Sequence, residues 1–110
     1  MTLDMRLERM CTNAVAILDR VETHAAIEAV KYPGVGFVIG LTFADEPTAE
    51  AFINDCPAIF ASTSFGGVHT SAERRARWGD DVPDGFVRLS VGCEPTTELV
   101  AAIEASLDAL

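Results

Sequence analysis

Lysine is almost missing from this chain: Lys31 is the only one among 110 residues. Any chemistry that needs a lysine amine as nucleophile must therefore come from that one position. Basic residues as a class are scarce, with 8 Lys and Arg against 17 Asp and Glu and a net charge of −9. A surface of that sign repels phosphate, which argues against nucleic acid and anionic membrane surfaces as partners. Cysteine occurs three times, at Cys11, Cys56 and Cys93, an odd count without metal-ligand spacing. These read as reduced thiols of a cytoplasmic protein rather than a disulfide framework. Glycine-rich phosphate motifs, a paired His/Cys metal set and a Ser–His–Asp pattern are all missing, so no free-standing catalytic residue or metal site is expected. No apolar run reaches membrane-spanning length. Residues 1–10 carry Asp4, Arg6, Glu8 and Arg9 where a secretory leader needs an apolar core.

What is present is apolar for so small a chain: 49% hydrophobic residues and a mean hydropathy of +0.24. Two explanations fit, an alanine-rich composition or a face reserved for a partner. A chain of this length buries roughly two thirds of its unfolded surface, enough for one modest core, so residues 1–110 read as a single domain.

Leu3, Leu7, Met10, Ala14, Ile17, Leu18 and Val21 recur at helical spacing and predict an amphipathic helix over about 2–23. Alternation over 26–32 predicts a short strand, and Pro33-Gly34 a turn. Residues 36–43 predict a second strand, paired with the first as an antiparallel hairpin. Glu46-Pro47-Thr48 opens a helix over 47–55, with proline at its first position. Residues 57–62 hold a third strand, 71–78 a charged helical turn, and 85–92 a fourth strand. Glu94-Pro95-Thr96 opens the last helix, with Leu99, Ile103, Leu107 and Leu110 on one face. The predicted architecture is α+β: a two-layer sandwich of a small, mainly antiparallel four-stranded sheet with helices packed on one face.

Two segments carry the chemistry. Ser64-Phe65-Gly66-Gly67-Val68 is a glycine turn bearing a hydroxyl. Gly85-Phe86-Val87-Arg88-Leu89-Ser90-Val91-Gly92 is an apolar strand with one arginine. Together they can aim a hydroxyl, backbone N–H groups and a guanidinium fork at one small carboxylate. Arg88 needs a partner in either case. That partner is a carboxylate of the chain (Asp80, Asp81, Asp84 or Glu94) or a bound ligand. Arg74, Arg75 and Arg77 read as a solvated helix face or one side of a salt-bridged interface. His24 falls at the end of the first helix, placed to satisfy its carbonyls.

Four stretches in order, residues 2–9, Val30-Lys31-Tyr32-Pro33-Gly34, the Ser64 turn and Val87-Arg88-Leu89-Ser90-Val91-Gly92, resemble the small C-terminal domain of the pyridoxal-phosphate-dependent cysteine and methionine metabolism enzymes, the cystathionine lyase and synthase family. The resemblance covers nearly the whole chain. It implies a domain packed beside a larger one, with the active site between them. It gives Arg88 the role of gripping the substrate carboxylate and puts Ser64, with its neighbour Thr63, at the same site. It implies sulfur amino-acid chemistry of the transsulfuration type, elimination or replacement at a carbon–sulfur bond. The cofactor lysine, phosphate loop and ring-stacking aromatic of the family's large domain have no counterpart in these residues, and Lys31 does not occupy the cofactor lysine's position. The expectation is a truncated or split protein, inactive by itself and holding no cofactor alone. It would be completed by a separate large-domain polypeptide, or would survive as a non-catalytic module that self-associates through the former interdomain face. Two departures bear on substrate preference: Thr63 and His69 stand where many members carry acidic residues. A family segment between the Tyr-Pro-Gly turn and the next strand is also reduced to Val35.

Overall fold

The computed structural model describes residues 3–56, 59–61, 70–74 and 82–110. Chain order is α1 (Leu3–Val21), β1 (Ala29–Lys31), β2 (Val38–Thr42), α2 (Glu46–Asp55), β3 (Phe60–Ala61), β4 (Ser71–Arg74), β5 (Phe86–Ser90) and α3 (Thr96–Asp108). The sheet order is β1-β2-β5-β4-β3. β1, β2, β5 and β4 form an antiparallel four-stranded sheet, and the two-residue β3 joins β4 in parallel at the edge. β5, the strand bearing Arg88, is therefore central, flanked by β2 and β4.

Period-two alternation divides the sheet into two faces. Ile39, Leu41 and Phe43 from β2 and its end, and Val87, Leu89 and Val91 from β5, point to one side and are buried. All three helices close over that side. Ala14, Ile17, Leu18 and Val21 of α1, Phe52 and Ile53 of α2, and Leu99, Ile103 and Leu107 of α3 share one core with the strand residues. Phe43 and Phe52 stack at a ring separation of 5.1 Å. The α+β two-layer arrangement with helices on one face is thus present, and β1 and β2 form the predicted hairpin.

Local signals explain most boundaries. Asp45 caps α2 by accepting a 2.9 Å bond from the Thr48 N–H, and Pro47 sits in the first turn, where no amide donor is needed. The β1–β2 turn is closed by the Tyr32 hydroxyl, which donates to the Gly36 carbonyl at 2.8 Å. Gly34 and Gly36 there take φ of 92° and 101°, open to glycine at little cost. Gly85 is required for a different reason: a Cβ on it would lie 2.2 Å from the Phe43 carbonyl oxygen.

Three expectations are corrected. Residues 71–74 are strand, not a helical turn. Their charged side chains suggested an exposed helix, but β5 supplies a ladder partner for each residue, and all four are buried. Of the two readings of Arg74, the solvated helix face is excluded and the salt-bridged one stands. Arg74 is buried on the helix side and bonds Glu50 at 2.9 Å and Glu46 at 3.2 Å, both on α2. The Glu50 hydrogen bond raises its pKa further above the usual arginine value, against the opposing effect of burial. His24 does not cap α1 carbonyls. Its Nδ1 accepts from the Ala26 N–H at 3.0 Å and its Nε2 lies 2.7 Å from Asp108 Oδ1, tying the end of α1 to the end of α3. The amphipathic reading of α1 also reaches too far toward its start: Leu7 is 38% exposed, and the buried stripe begins at Met10.

Candidate carboxylate-binding site

The helix-free face of the sheet is where Arg88 emerges. Register sets one transverse row: Lys31 opposite Gly40 on β1 and β2, Gly40 opposite Arg88 on β5, and Arg88 opposite Glu73 on β4. Strands lie about 4.8 Å apart, so these four positions follow one another across the sheet at that spacing. Glu73 is 5% exposed at its side chain and Arg88 26%. The guanidinium Nη2 of Arg88 donates to Glu73 Oε1, a charge-assisted bond between directly opposed residues. A buried carboxylate needs such a counter-charge, so the two side chains hold each other in place.

None of the carboxylates named from sequence proximity takes this role among the described residues. Asp84 offers its backbone carbonyl to Arg74 at 3.4 Å. Glu94 accepts from the Thr70 N–H and hydroxyl, each at 2.8 Å. Asp80 and Asp81 lie outside the described residues. Sequence proximity does not point to Glu73, which stands fifteen residues from Arg88 and meets it only through the β4–β5 register. Had 71–74 been read as a strand, its register with β5 would have pointed to it.

On its other side Arg88 borders an open groove of about 640 Å³. Val30, Lys31, Tyr32, Pro33, Val38, Gly40 and Phe86 complete the lining. The Phe86 ring lies over Gly40, where a Cβ would come within 2.8 Å of it. A cavity of about 500 Å³ between α2 and α3 is walled largely by alanines and carries a single ionisable side chain, Asp55. Its described lining carries no cationic side chain to pair with a carboxylate. Ser64, Thr63 and His69, together with Arg75, Arg77 and Trp78, lie outside the described residues.

A buried polar knot that the sequence reading did not single out fixes the exit of β5. Asn13, fully buried on α1, donates through Nδ2 to the carbonyls of Gly92 at 3.1 Å and Glu94 at 2.8 Å. Its Oδ1 accepts from the Thr96 hydroxyl. The Thr70 hydroxyl accepts from the Gly92 N–H at 2.9 Å. The end of the Arg88 strand is thereby bonded to α1, to α3 and to the residue that leads into β4.

Comparison with known proteins finds relatives over nearly the whole of this chain. A Streptomyces coelicolor protein assigned to cystathionine gamma-lyase is 36% identical over 124 positions, covering 97% of this chain and 32% of that protein. L-methionine gamma-lyase of Treponema denticola is 28% identical over 99% of this chain and 34% of its own length. The solved structure of metB from Corynebacterium glutamicum superimposes with a TM-score of 0.90 at 27% identity over 96% of this chain. The chain belongs to the cystathionine lyase and synthase family. Cystathionine gamma synthase from Xanthomonas oryzae pv. oryzae, solved with aminoacrylate and cysteine, superimposes with a TM-score of 0.84 at 25% identity. No family model matches the chain. It spans about a third of the length of the curated relatives it matches. The matches run over more positions than the chain has residues, so these family members carry extra residues within the shared region. In this chain the Tyr32–Gly36 turn joins β1 to β2 directly.

The cofactor that the family implies can be tested against the residues present. Lys31, the only amine-bearing side chain, is exposed on an edge strand, and the groove beside it is walled by Val30, Tyr32, Pro33 and Val38. Apart from Lys31, Tyr32 and Arg88 the described lining is apolar, and it includes no glycine-rich phosphate loop. The described residues alone do not fit pyridoxal phosphate. Among them, no group of His, Cys, Asp and Glu is arranged for a metal ion, and no helix is long and apolar enough to cross a membrane.

Proposed function

We propose that this domain supplies the substrate-carboxylate side of a carbon–sulfur lyase or synthase site in sulfur amino-acid metabolism, with Arg88 as the carboxylate-binding residue. The observation that carries the reading is the divided environment of Arg88. Glu73 bonds the guanidinium from β4, while the residue borders a groove toward β2 whose described lining holds no acid. A guanidinium so anchored is preorganised to take a carboxylate in its fork, losing less side-chain entropy than a free surface arginine. The knot of Asn13, Thr70 and Glu94 holds the exit of the strand that carries it. Ser64 and Thr63 are proposed as its companions on the strength of the family resemblance.

Pyridoxal phosphate, when present in such a site, supplies the electron sink for carbon–sulfur bond cleavage. The residues that would hold it belong to a large domain, on the same polypeptide or another. The contribution of this domain is binding and orientation of the amino acid. A cytoplasmic setting accords with three free cysteines.

The test is a titration of the chain with L-alanine, following the backbone amides of Arg88 and Gly40 by NMR. Saturable shifts with a dissociation constant on the order of millimolar are expected for one solvent-open ion pair. They should vanish in the double variant Arg88→Ala/Glu73→Gln, which removes the guanidinium without leaving Glu73 charged. No shift in the wild-type chain at tens of millimolar would refute the assignment.

A further inference from the structure

We propose that Lys31 is a second anion-binding residue of the Arg88 groove, which makes it a site for ligands with a negative charge at both ends. This rests on the reading of Arg88 as a carboxylate-binding residue and extends it to the far end of the ligand. Four observations on the helix-free face carry it. Lys31 and Arg88 occupy the same transverse row, separated by one strand position. That intervening position is Gly40, which has no side chain of its own, and the Phe86 ring lies over it as an apolar surface between the two cations. Among the described residues, the lining of the groove contains these two cations and no carboxylate. Finally, Lys31 is exposed and makes no ion pair among the described residues.

The local charge runs against the rest of the molecule. Asp and Glu outnumber Lys and Arg 17 to 8, yet two of those eight cations share one groove whose described wall holds no acid. Residues two strands apart stand about 9.6 Å from one another, twice the inter-strand spacing. Both side chains are long and flexible enough to tilt toward the gap. The complementary ligand is a short chain with a carboxylate at each end and a methylene body against Phe86. An acidic protein repels a dianion more than a monoanion at long range. A preference for the dianion must therefore come from the local pair of cations.

The experiment compares glutarate with butyrate, probes of similar length that differ by one carboxylate, on the intact chain at low ionic strength. Amides of Lys31, Gly40 and Arg88 report binding. Glutarate is expected to bind about threefold more tightly, the usual contribution of one solvent-exposed ion pair. Lys31→Gln should abolish that preference while leaving butyrate affinity unchanged, and Lys31→Glu should reverse it. Lys31 is exposed on an edge strand, so both variants are expected to fold, which an unchanged amide spectrum away from β1 will verify. Equal affinities in the wild-type chain, or a preference that survives Lys31→Gln, overturn the inference while butyrate binding leaves the Arg88 reading standing. If neither ligand perturbs Arg88, both readings fall.

Discussion

Asn13 offers the sharpest test of how this fold holds its site. The side chain is fully buried and makes three hydrogen bonds, two as donor to the carbonyls of Gly92 and Glu94 and one as acceptor from Thr96. Asn13→Ala removes all three and leaves two carbonyls and a hydroxyl facing a small cavity. A buried polar group deprived of its partner costs about 1–3 kcal/mol. Water entering the space recovers part of that for three groups, so a total loss of about 3 kcal/mol is expected. Against a total stability of roughly 5–15 kcal/mol, that is a large fraction. In thermal unfolding it corresponds to a drop in Tm of roughly 12–24 °C, at about 4–8 °C per kcal/mol for a chain of this size. Urea denaturation followed by circular dichroism should show a lower midpoint with an unchanged slope. Asn13→Asp is a harsher variant at neutral pH, because it turns the donor into an anion facing two carbonyl oxygens. A double-mutant cycle with Thr96→Val should give a coupling above about 0.5 kcal/mol, since the two side chains bond directly. An Asn13→Ala midpoint indistinguishable from wild type would refute the reasoning, as would an Asp variant more stable than Ala.

Other outcomes follow from named contacts. Arg88→Ala should cost about 2–3 kcal/mol, the low end for a buried pair because Arg88 keeps a quarter of its side chain in solvent, and adding Glu73→Gln should recover most of it; urea midpoints of the single and double variants check this. Gly85→Ala should destabilise by at least about 2 kcal/mol, because the new methyl meets the Phe43 carbonyl oxygen at 2.2 Å and the backbone must move; the same midpoint assay reads it. The Thr48 hydrogen bonds hold the Asp45 carboxyl below its usual value of 3.8. Its stabilising contribution is therefore complete above that value and is lost as pH falls through the lowered one. Asp45→Asn, which still caps, should flatten this part of the acid stability profile, whereas Asp45→Ala should also lower stability at neutral pH. Replacing Arg74 with leucine should lower stability, since Glu46 and Glu50 then face each other without their counter-charge; a second change, Glu50→Gln, should restore part of it.

The sequence by itself determined the helices, the hairpin and the central strand. Those signals are local: apolar spacing along α1 and α3, the Glu46-Pro47-Thr48 start, the glycine turn after Tyr32, and alternation through residues 86–90. It also singled out Arg88, because one charge in an apolar strand demands compensation wherever the strand lies. Tertiary structure alone decided what compensates it. Glu73 lies fifteen residues away and stands opposite Arg88 only because β5 inserts between β2 and β4, a consequence of topology with no local trace. The same insertion turned a charged segment into the buried strand β4, since a ladder partner and a covered face outweigh weak local helical preference. It also put Lys31 on the face of Arg88. Period two makes facing all-or-nothing, and a shift of one residue would have turned Lys31 toward the core.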